Sequence, residues 1–277
     1  MSVLAFTSLI ALGALAAGFL GALTGLGGGV VIVPMLVLMG VDIHYAIGAS
    51  LVSVIATSSG AAASYVKEGL SNIRIGMLLE IATTIGALTG AYLSKILQPE
   101  ALSIIFGFVL LFSAYLSLRS RRPRFEAEKA DPLAVRLRLD STYPTAEGRQ
   151  PYHVHGVPLG FALMYVAGCL SGLLGIGSGA LKVLSMDYAM RIPFKVSTTT
   201  SNFMIGVTAA ASAGIYLHSG YIVPGLAMPV MLGVLTGSLF GARVLMSAKP
   251  RILRRVFSVV ILVLAIQMIY KGCTGKL

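Results

Sequence analysis

The sequence predicts an all-α membrane protein built from two homologous halves, and three observations predict this class. Of the 277 residues, 56% are apolar and only 11% are charged, which leaves too few charges to cover a soluble globule of this size. The apolar residues gather in runs long enough to cross a hydrocarbon core about 30 Å thick. The segment Thr24–Gly29 also returns as Leu174–Gly179, an offset of 150 residues.

The repeat extends well beyond these two segments. A one-residue insertion near Thr199 raises the offset to 151, and several pairs of residues then match: Tyr65 and Tyr216, Gly86 and Gly237, Gly90 and Gly241, Pro99 and Pro250. We therefore divide the chain into a first transmembrane repeat at 1–118, a basic linker at 119–155 and a second transmembrane repeat at 156–277.

Each half holds four long apolar runs and one short run. In the first half the long runs lie near residues 4–24, 45–66, 75–97 and 101–118, with a short run at 28–40. In the second half they lie near 157–174, 195–217, 222–247 and 252–270, with a short run at 178–190. The first run lacks the preceding positive residues of a secretion signal, and its counterpart is internal, so we interpret it as a retained helix.

The distribution of charge predicts the topology. Between Arg119 and His155 the linker carries eight basic residues against five acidic ones, which predicts a cytoplasmic position. Three pairs of equivalent loops each have one basic member and one member poor in Lys and Arg, as an inverted repeat of five segments with both termini outside requires. Lys271 and Lys276 run against this rule. A parallel repeat of four crossings is the alternative, if each short run only completes a broken helix.

The linker also carries a pattern of its own. Ala134–Asp140 alternates with period two, turn residues follow around Pro144 and Gly148, and Tyr152–His155 comes next. This pattern predicts a small cytosolic β-hairpin. A flexible charged loop is the alternative.

Glycines interrupt the first helix of each half. Glycine costs about 1 kcal/mol relative to Ala in a helix, so a break is expected at two places: Gly27, Gly28 and Gly29, and Gly177, Ser178 and Gly179. Helices interrupted at corresponding places of two halves indicate a transporter's substrate site, and the short helices that follow would direct free N–H groups at an anion. Close helix packing is the alternative, and it is the interpretation we favour for Gly86, Gly90, Gly237 and Gly241.

Lys182 lies one turn into the second short helix, where the first half has Ile32. A lysine at the membrane centre costs about 3 kcal/mol and is tolerated chiefly where it faces a cavity or a partner. We therefore expect Lys182 to bind the anion, with snorkelling or an ion pair with Asp187 as alternatives.

Hydroxyl and amide groups downstream of the short helices could donate hydrogen bonds to the same ligand: Ser50, Ser53, Thr198, Thr199, Thr200, Ser201 and Asn202. Interhelical hydrogen bonding is the alternative for these.

Glu80 and Asp187 are the acidic residues well inside apolar runs, which makes them candidates for proton coupling, with a structural ion pair as the alternative. The four histidines and the two cysteines, Cys169 and Cys273, have no spacing that fits a metal site, a disulfide framework or a nucleophile with its base. We therefore expect no metal, no cofactor and no catalytic residue.

The two loops also carry a resemblance. The G-L-G-G-G and G-I-G-S-G loops each follow a Gly-rich helix and precede a short apolar helix and an A-S-L or T-S-N-F stretch. With this pattern the chain resembles the TauE/SafE family of sulfite and organosulfonate exporters over nearly its whole length outside the linker. The resemblance implies a multi-pass permease of the bacterial cytoplasmic (inner) membrane that moves a small sulfur-containing anion outward. Ser178 and Lys182 depart from the duplicated pattern.

The expected partners are a small inorganic or organic anion and the lipid bilayer. The net charge of +11 belongs to the cytoplasmic loops and does not indicate binding to nucleic acid. A passive anion channel and a membrane-embedded enzyme are the alternative functions. The choice of anion, the coupling and the oligomeric state stay open at this stage.

Overall fold

A computed structural model describes residues 3–24, 28–67, 71–118, 131–145, 148–245 and 250–275. The first half forms α1 (Val3–Thr24), α2 (Gly29–Leu38), α3 (Ile43–Lys67), α4 (Ile73–Ile96) and α5 (Pro99–Leu118). The linker forms α6 (Pro132–Arg136), β1 (Ser141–Thr145) and β2 (Gly148–Tyr152). The second half forms α7 (Val157–Leu174), α8 (Gly179–Leu184), a π-helical turn (Ser185–Ala189), α9 (Phe194–His218), α10 (Pro224–Leu245) and α11 (Pro250–Thr274). The predicted all-α class is confirmed, and each of the ten predicted apolar runs is helical.

Helix α4 shows how the fold suits a membrane. Its outward face is a stripe of large apolar residues at three- and four-residue spacing: Ile73, Met77, Ile81, Ile85, Leu88, Tyr92 and Ile96. Its inward face consists largely of small residues such as Gly86, Ala87 and Gly90. Large apolar side chains outside and small ones inside are typical of a helix whose solvent is lipid. Among the described residues, α4 and α7 are long and apolar enough to cross a membrane, and six shorter helical stretches are also apolar.

Glycines let α4 and α7 approach until their backbones touch. A Cβ at Gly86 would overlap the carbonyl oxygen of Tyr165, and one at Gly90 would overlap that of Cys169. On the facing helix, a Cβ at Gly172 would overlap the carbonyl oxygen of Ala87. This is the close packing that the spacing of Gly86 and Gly90 predicts.

The equivalent helices of the other pair, α1 and α10, pack in the same way. A Cβ at Gly237 would overlap the carbonyl oxygen of Leu15, and Gly233 lies against Ala11 one turn earlier on both helices. The side chain position of Gly241 lies outside the described residues. Each first helix of one half therefore packs on the fourth helix of the other half.

The contacts also fix the helix directions. Residues later in α1 contact residues later in α10, and the same holds for α4 and α7, so the two helices of each pair run parallel. Helices α5 and α11 are antiparallel, because Glu100 at the start of α5 lies against Gly272 near the end of α11. Helices α3 and α9 are also antiparallel, because Gly48 near the start of α3 lies against Tyr221, just after α9 ends. Antiparallel equivalent helices are what an inverted repeat requires, and the membrane orientation itself stays a prediction.

The linker does contain an antiparallel hairpin, but its strands are not where the sequence predicts them. Ser141 pairs with Tyr152, and Thr145 pairs with Gly148, so the stretch predicted as turn supplies the strands. The alternating stretch after Ala134 instead begins with the short helix α6, which Asp131 caps by accepting a hydrogen bond from the Leu133 N–H. A capping aspartate followed by Pro132 favours a helix start over a strand.

The linker docks on the membrane helices through Asn72. Its side-chain amide donates to the Leu139 carbonyl at 3.1 Å and to the Tyr152 hydroxyl at 2.7 Å, while its Oδ1 accepts from the Ile75 N–H and caps α4. The Asn72 N–H donates to Thr200 Oγ1 on α9. Burial raises the pKa of the Tyr152 hydroxyl, which keeps it protonated. The hairpin is therefore fixed to the ends of α4 and α9.

Candidate functional site

Both predicted helix breaks are present. Helix α1 ends at Thr24 and α2 begins at Gly29, and Gly27 lies outside the described residues between them. In the second half Gly175 (φ 66°), Gly177 (φ 72°) and Ser178 (φ 48°) all adopt left-handed backbone conformations before α8 begins. Such conformations are free for glycine but cost about 1 to 2 kcal/mol for a residue with a Cβ. The backbone conformation of the break therefore explains why Gly175 and Gly177 are glycines, and it leaves the backbone of Ser178 strained.

The breaks of the two halves meet. A Cβ on Gly29 would lie 2.8 Å from the Gly175 carbonyl oxygen and 2.7 Å from Ser50 Oγ. Ser50, on α3, donates a hydrogen bond of 2.7 Å to that same carbonyl. Gly29 thus lacks a side chain because the opposite break occupies the space. Gly28, immediately before α2, lies against Val234 of α10.

The second break has polar groups of its own. Ser201 Oγ on α9 donates to the Gly179 carbonyl at 3.3 Å, and Asn202 beside it is half-buried. Ser178 is buried, and its hydroxyl has no hydrogen-bond partner among the described residues. An unsatisfied buried hydroxyl costs about 1 to 3 kcal/mol, so Ser178 is a group to which a ligand could bind.

A chain of three side chains lies two turns further along α9. Lys182 is completely buried, and its ammonium donates to Thr208 Oγ1 at 2.5 Å. Thr208 Oγ1 lies 2.7 Å from Glu80 Oε1 on α4. Helices α4, α8 and α9 therefore bring a cation and a carboxylate to the two sides of one hydroxyl group.

Asp187 lies elsewhere. It is half-buried in the π-helical turn after α8, whereas the Lys182 ammonium donates to Thr208. Thr208 is the residue that the sequence analysis missed. It follows Ser201 by seven residues and so lies on the same face of α9, which is the signal that could have identified it.

The site is closed in this structure. Lys182, Ser50 and Ser201 are all within 1% of complete burial, so an anion would need the helices to move before it could reach Lys182. A groove of about 480 Å³ lies elsewhere, between α1 and α10, and is lined almost wholly by apolar residues such as Leu12, Leu15 and Leu232. Its position on the outer surface suits a lipid chain better than a charged ligand.

Comparison with known proteins identifies the family. The family model described as sulfite exporter TauE/SafE matches residues 10–268, and the chain belongs to this family. It is 30% identical over 97% of its length to the probable membrane transporter protein YunE of Bacillus subtilis, covering 99% of that protein. It is 25% identical to a probable membrane transporter protein of Xylella fastidiosa, with 92% of each chain covered. No solved structure matches the chain. The protein is therefore a membrane transporter.

Proposed function

We propose that the protein exports a small sulfur-containing anion, sulfite or a short organosulfonate, across the bacterial cytoplasmic membrane. The observation that carries this proposal is the completely buried Lys182 beside two helix breaks that meet. A buried ammonium in a membrane protein attracts an anion. Its charge acts at one position, unlike the charge of a wide basic surface. The family description supplies the class of sulfur compound.

The proposed binding groups surround the breaks. Ser178 offers a hydroxyl that has no hydrogen-bond partner among the described residues, and Lys182 offers the positive charge. Ser50, Ser201 and Asn202 are the neighbouring polar groups that could exchange their present partners for an oxyanion, as could the backbone of Gly28, Gly29, Gly177 and Gly179. Hydroxyl donors bind an oxyanion less tightly than a full ion pair does, which lets a carrier release its substrate. In the same proposal, Glu80 is the stronger candidate for proton coupling, since its carboxylate shares Thr208 with Lys182.

The first prediction concerns the substrate. Purified protein in proteoliposomes should transport sulfite, which is partly monovalent bisulfite near neutral pH, faster than the divalent sulfate, because a single lysine has to balance the charge of the anion. Uptake of sulfite, sulfoacetate, thiosulfate and sulfate is measured side by side, with and without a pH gradient, and the products are analysed by mass spectrometry. Protein-free liposomes are the control. Transport of neither sulfite nor sulfoacetate would refute the proposal. Currents far above carrier turnover would favour a channel, and chemically altered products would favour an enzyme.

A further inference from the structure

The charged pair is not needed for packing. With the offset of 151, Glu80 and Thr208 correspond to Met231 and Thr57, and Lys182 corresponds at the offset of 150 to Ile32. Ile32 is completely buried, so an apolar side chain fills the same position in the other half. A buried ion pair is weak evidence for stability, because an apolar replacement often does as well. The charges therefore serve something other than the fold.

Glu80 is incompletely satisfied. Its Oε1 accepts from Thr84 Oγ1 at 3.2 Å and lies 2.7 Å from Thr208 Oγ1, whereas its buried Oε2 has no hydrogen-bond partner among the described residues. An ionised carboxylate with one bare oxygen depends on its nearby cation. If an anion drew Lys182 away, Glu80 would be left without compensation.

The net charge of the buried site then limits the binding of an anion. Without a ligand, Lys182 and Glu80 sum to zero, and a monovalent anion would bring the buried site to a net charge of −1. Protonation of Glu80 restores neutrality. We propose that Glu80 is the internal counter-anion of Lys182, and that an anion binds to Lys182 only when Glu80 takes up a proton. The proposal rests on the proposed function, since it assigns the coupling of that same site.

The step balances simply. A proton from solvent forms an O–H bond on the Glu80 carboxylate, Lys182 stays protonated, and the anion replaces Glu80 as the partner of the ammonium. One proton therefore accompanies each monovalent anion, and the loaded site crosses without net charge. Membrane potential then does not drive transport, and export follows the outward gradient of the anion against any inward proton gradient.

No second charge of the described residues competes for this role. Lys182 is the charged group that acts on Glu80. The other titratable groups on the helices that pack against α4 lie further along: Tyr165 and Cys169 of α7 meet α4 near Thr89 and Gly90, and Lys195, Tyr216 and His218 of α9 lie toward the ends of that helix. Protonation linked to Lys182 is therefore assigned to Glu80.

The linkage can be measured on the full-length protein in nanodiscs with isethionate, a short organosulfonate that stays ionised throughout the usable pH range. Calorimetric titrations in two buffers of different ionisation enthalpy give the number of protons taken up per anion. We expect about one proton per anion where Glu80 is ionised, and binding that weakens about tenfold per unit rise in pH there. Binding without proton uptake would overturn the proposal.

Two matched variants locate the proton. Glu80→Gln imitates the protonated acid, so its binding should take up no proton and should not vary with pH, and in proteoliposomes its transport should respond to a potential set by valinomycin. Asp187→Asn should keep the proton uptake of the wild type. A Glu80→Gln variant that still takes up a proton would overturn the assignment, and the wild-type titration decides the linkage even if this variant does not fold. Absence of binding by the wild type to isethionate, sulfite and sulfoacetate would instead refute the proposed function.

Discussion

At the scale of single residues, the proposed anion site depends on Lys182. An ammonium inside the membrane has lost its water, and only one hydrogen bond, to Thr208, replaces it among the described residues. An incompletely solvated cation remains ready to bind an incoming oxyanion. Its immediate neighbours are well suited to this, because a hydroxyl can reorient as its partners change.

Removal of the lysine charge gives the second prediction. Lys182→Met should weaken binding of isethionate by about ten- to a hundredfold, which corresponds to the loss of a charge-assisted hydrogen bond worth about 1.5 to 3 kcal/mol. Calorimetry measures the affinity, and size-exclusion chromatography confirms that the variant is folded. Lys271→Met is a matched control, since the Lys271 ammonium likewise donates a hydrogen bond to another helix, in its case to the Val37 carbonyl at 2.8 Å.

The variant leaves Glu80 without its cation, so the double variant Lys182→Met with Glu80→Gln is measured as well. It removes both charges together and should bind as weakly as the single variant. Wild-type affinity in a folded Lys182→Met protein would mean that the anion binds elsewhere.

The sequence identifies the two charges but not their meeting. Lys182 and Glu80 stand out because each interrupts an apolar run. Glu80 and Thr208 are 128 residues apart, and only the packing of α4 against α9 brings them together. Pairing of Lys182 with Asp187 is the interpretation that sequence proximity favours, and the helical geometry does not produce it.

At the scale of elements, the contacts of α4 with α7 show what holds the halves together. There is no hydrophobic driving force between helices in lipid, so close backbone contact has to supply the attraction. Gly90 is central to this contact, because a Cβ there would overlap the carbonyl oxygen of Cys169. Backbone cannot move aside as the end of a flexible side chain can.

The third prediction follows for Gly90→Val. The variant should separate α4 from α7 and lower the melting temperature in detergent, with an increased aggregated fraction in fluorescence-detected chromatography. Gly214→Ala on α9 is the control, because a Cβ there meets nothing within 4 Å and alanine favours the helix by about 1 kcal/mol. Equal melting temperatures of the two variants would contradict the role of close packing.

The long helices are predictable from sequence because membrane-spanning runs need only length and apolarity. The secondary structure of the linker is less predictable from sequence. Ala134–Asp140 alternates like a strand, yet Ala134 and Leu139 are buried against the ends of the membrane helices and the strands form after them. An alternating apolar pattern indicates that one face of the segment is buried. A short capped helix and a turn can bury the same apolar residues when they pack on the ends of the membrane helices.

At the scale of the whole molecule, the helix directions decide which ends lie together. Helix α1 is parallel to α10, which begins just after Tyr221, and Tyr221 lies against Gly48 near the start of α3. His44 at the start of α3 bonds to the Ser94 carbonyl near the end of α4. Helix α5 begins just after α4 with its first turn against the end of α11, so α11 ends on the side where α1 begins. Helix α5 is antiparallel to α11 and therefore ends on the opposite side. The start of α1 and the end of α11 thus lie on one side of the protein, and the described hairpin of the linker, which contacts Asn72 at the start of α4, lies on the other.

Charge assigns the sides. The basic linker predicts that its side is the cytoplasm, and Lys271 does not argue strongly against this, since its ammonium caps the carbonyl of Val37 at the end of α2 and is not a free loop charge. We infer that the two repeats are inverted relative to the membrane.

The last prediction tests this orientation in intact cells. Cys273 is free and exposed near the C-terminus, so in a Cys169→Ala background it should react from outside with a membrane-impermeant thiol reagent. With both native cysteines replaced by alanine, Ser2→Cys should also react from outside, whereas Ala127→Cys should react only after the cells are permeabilised. Labelling of the two termini from opposite sides would exclude the inverted arrangement. Labelling of Ala127→Cys alone from outside would keep the arrangement but reverse its orientation, and the proposed direction of transport would then have to be reassigned.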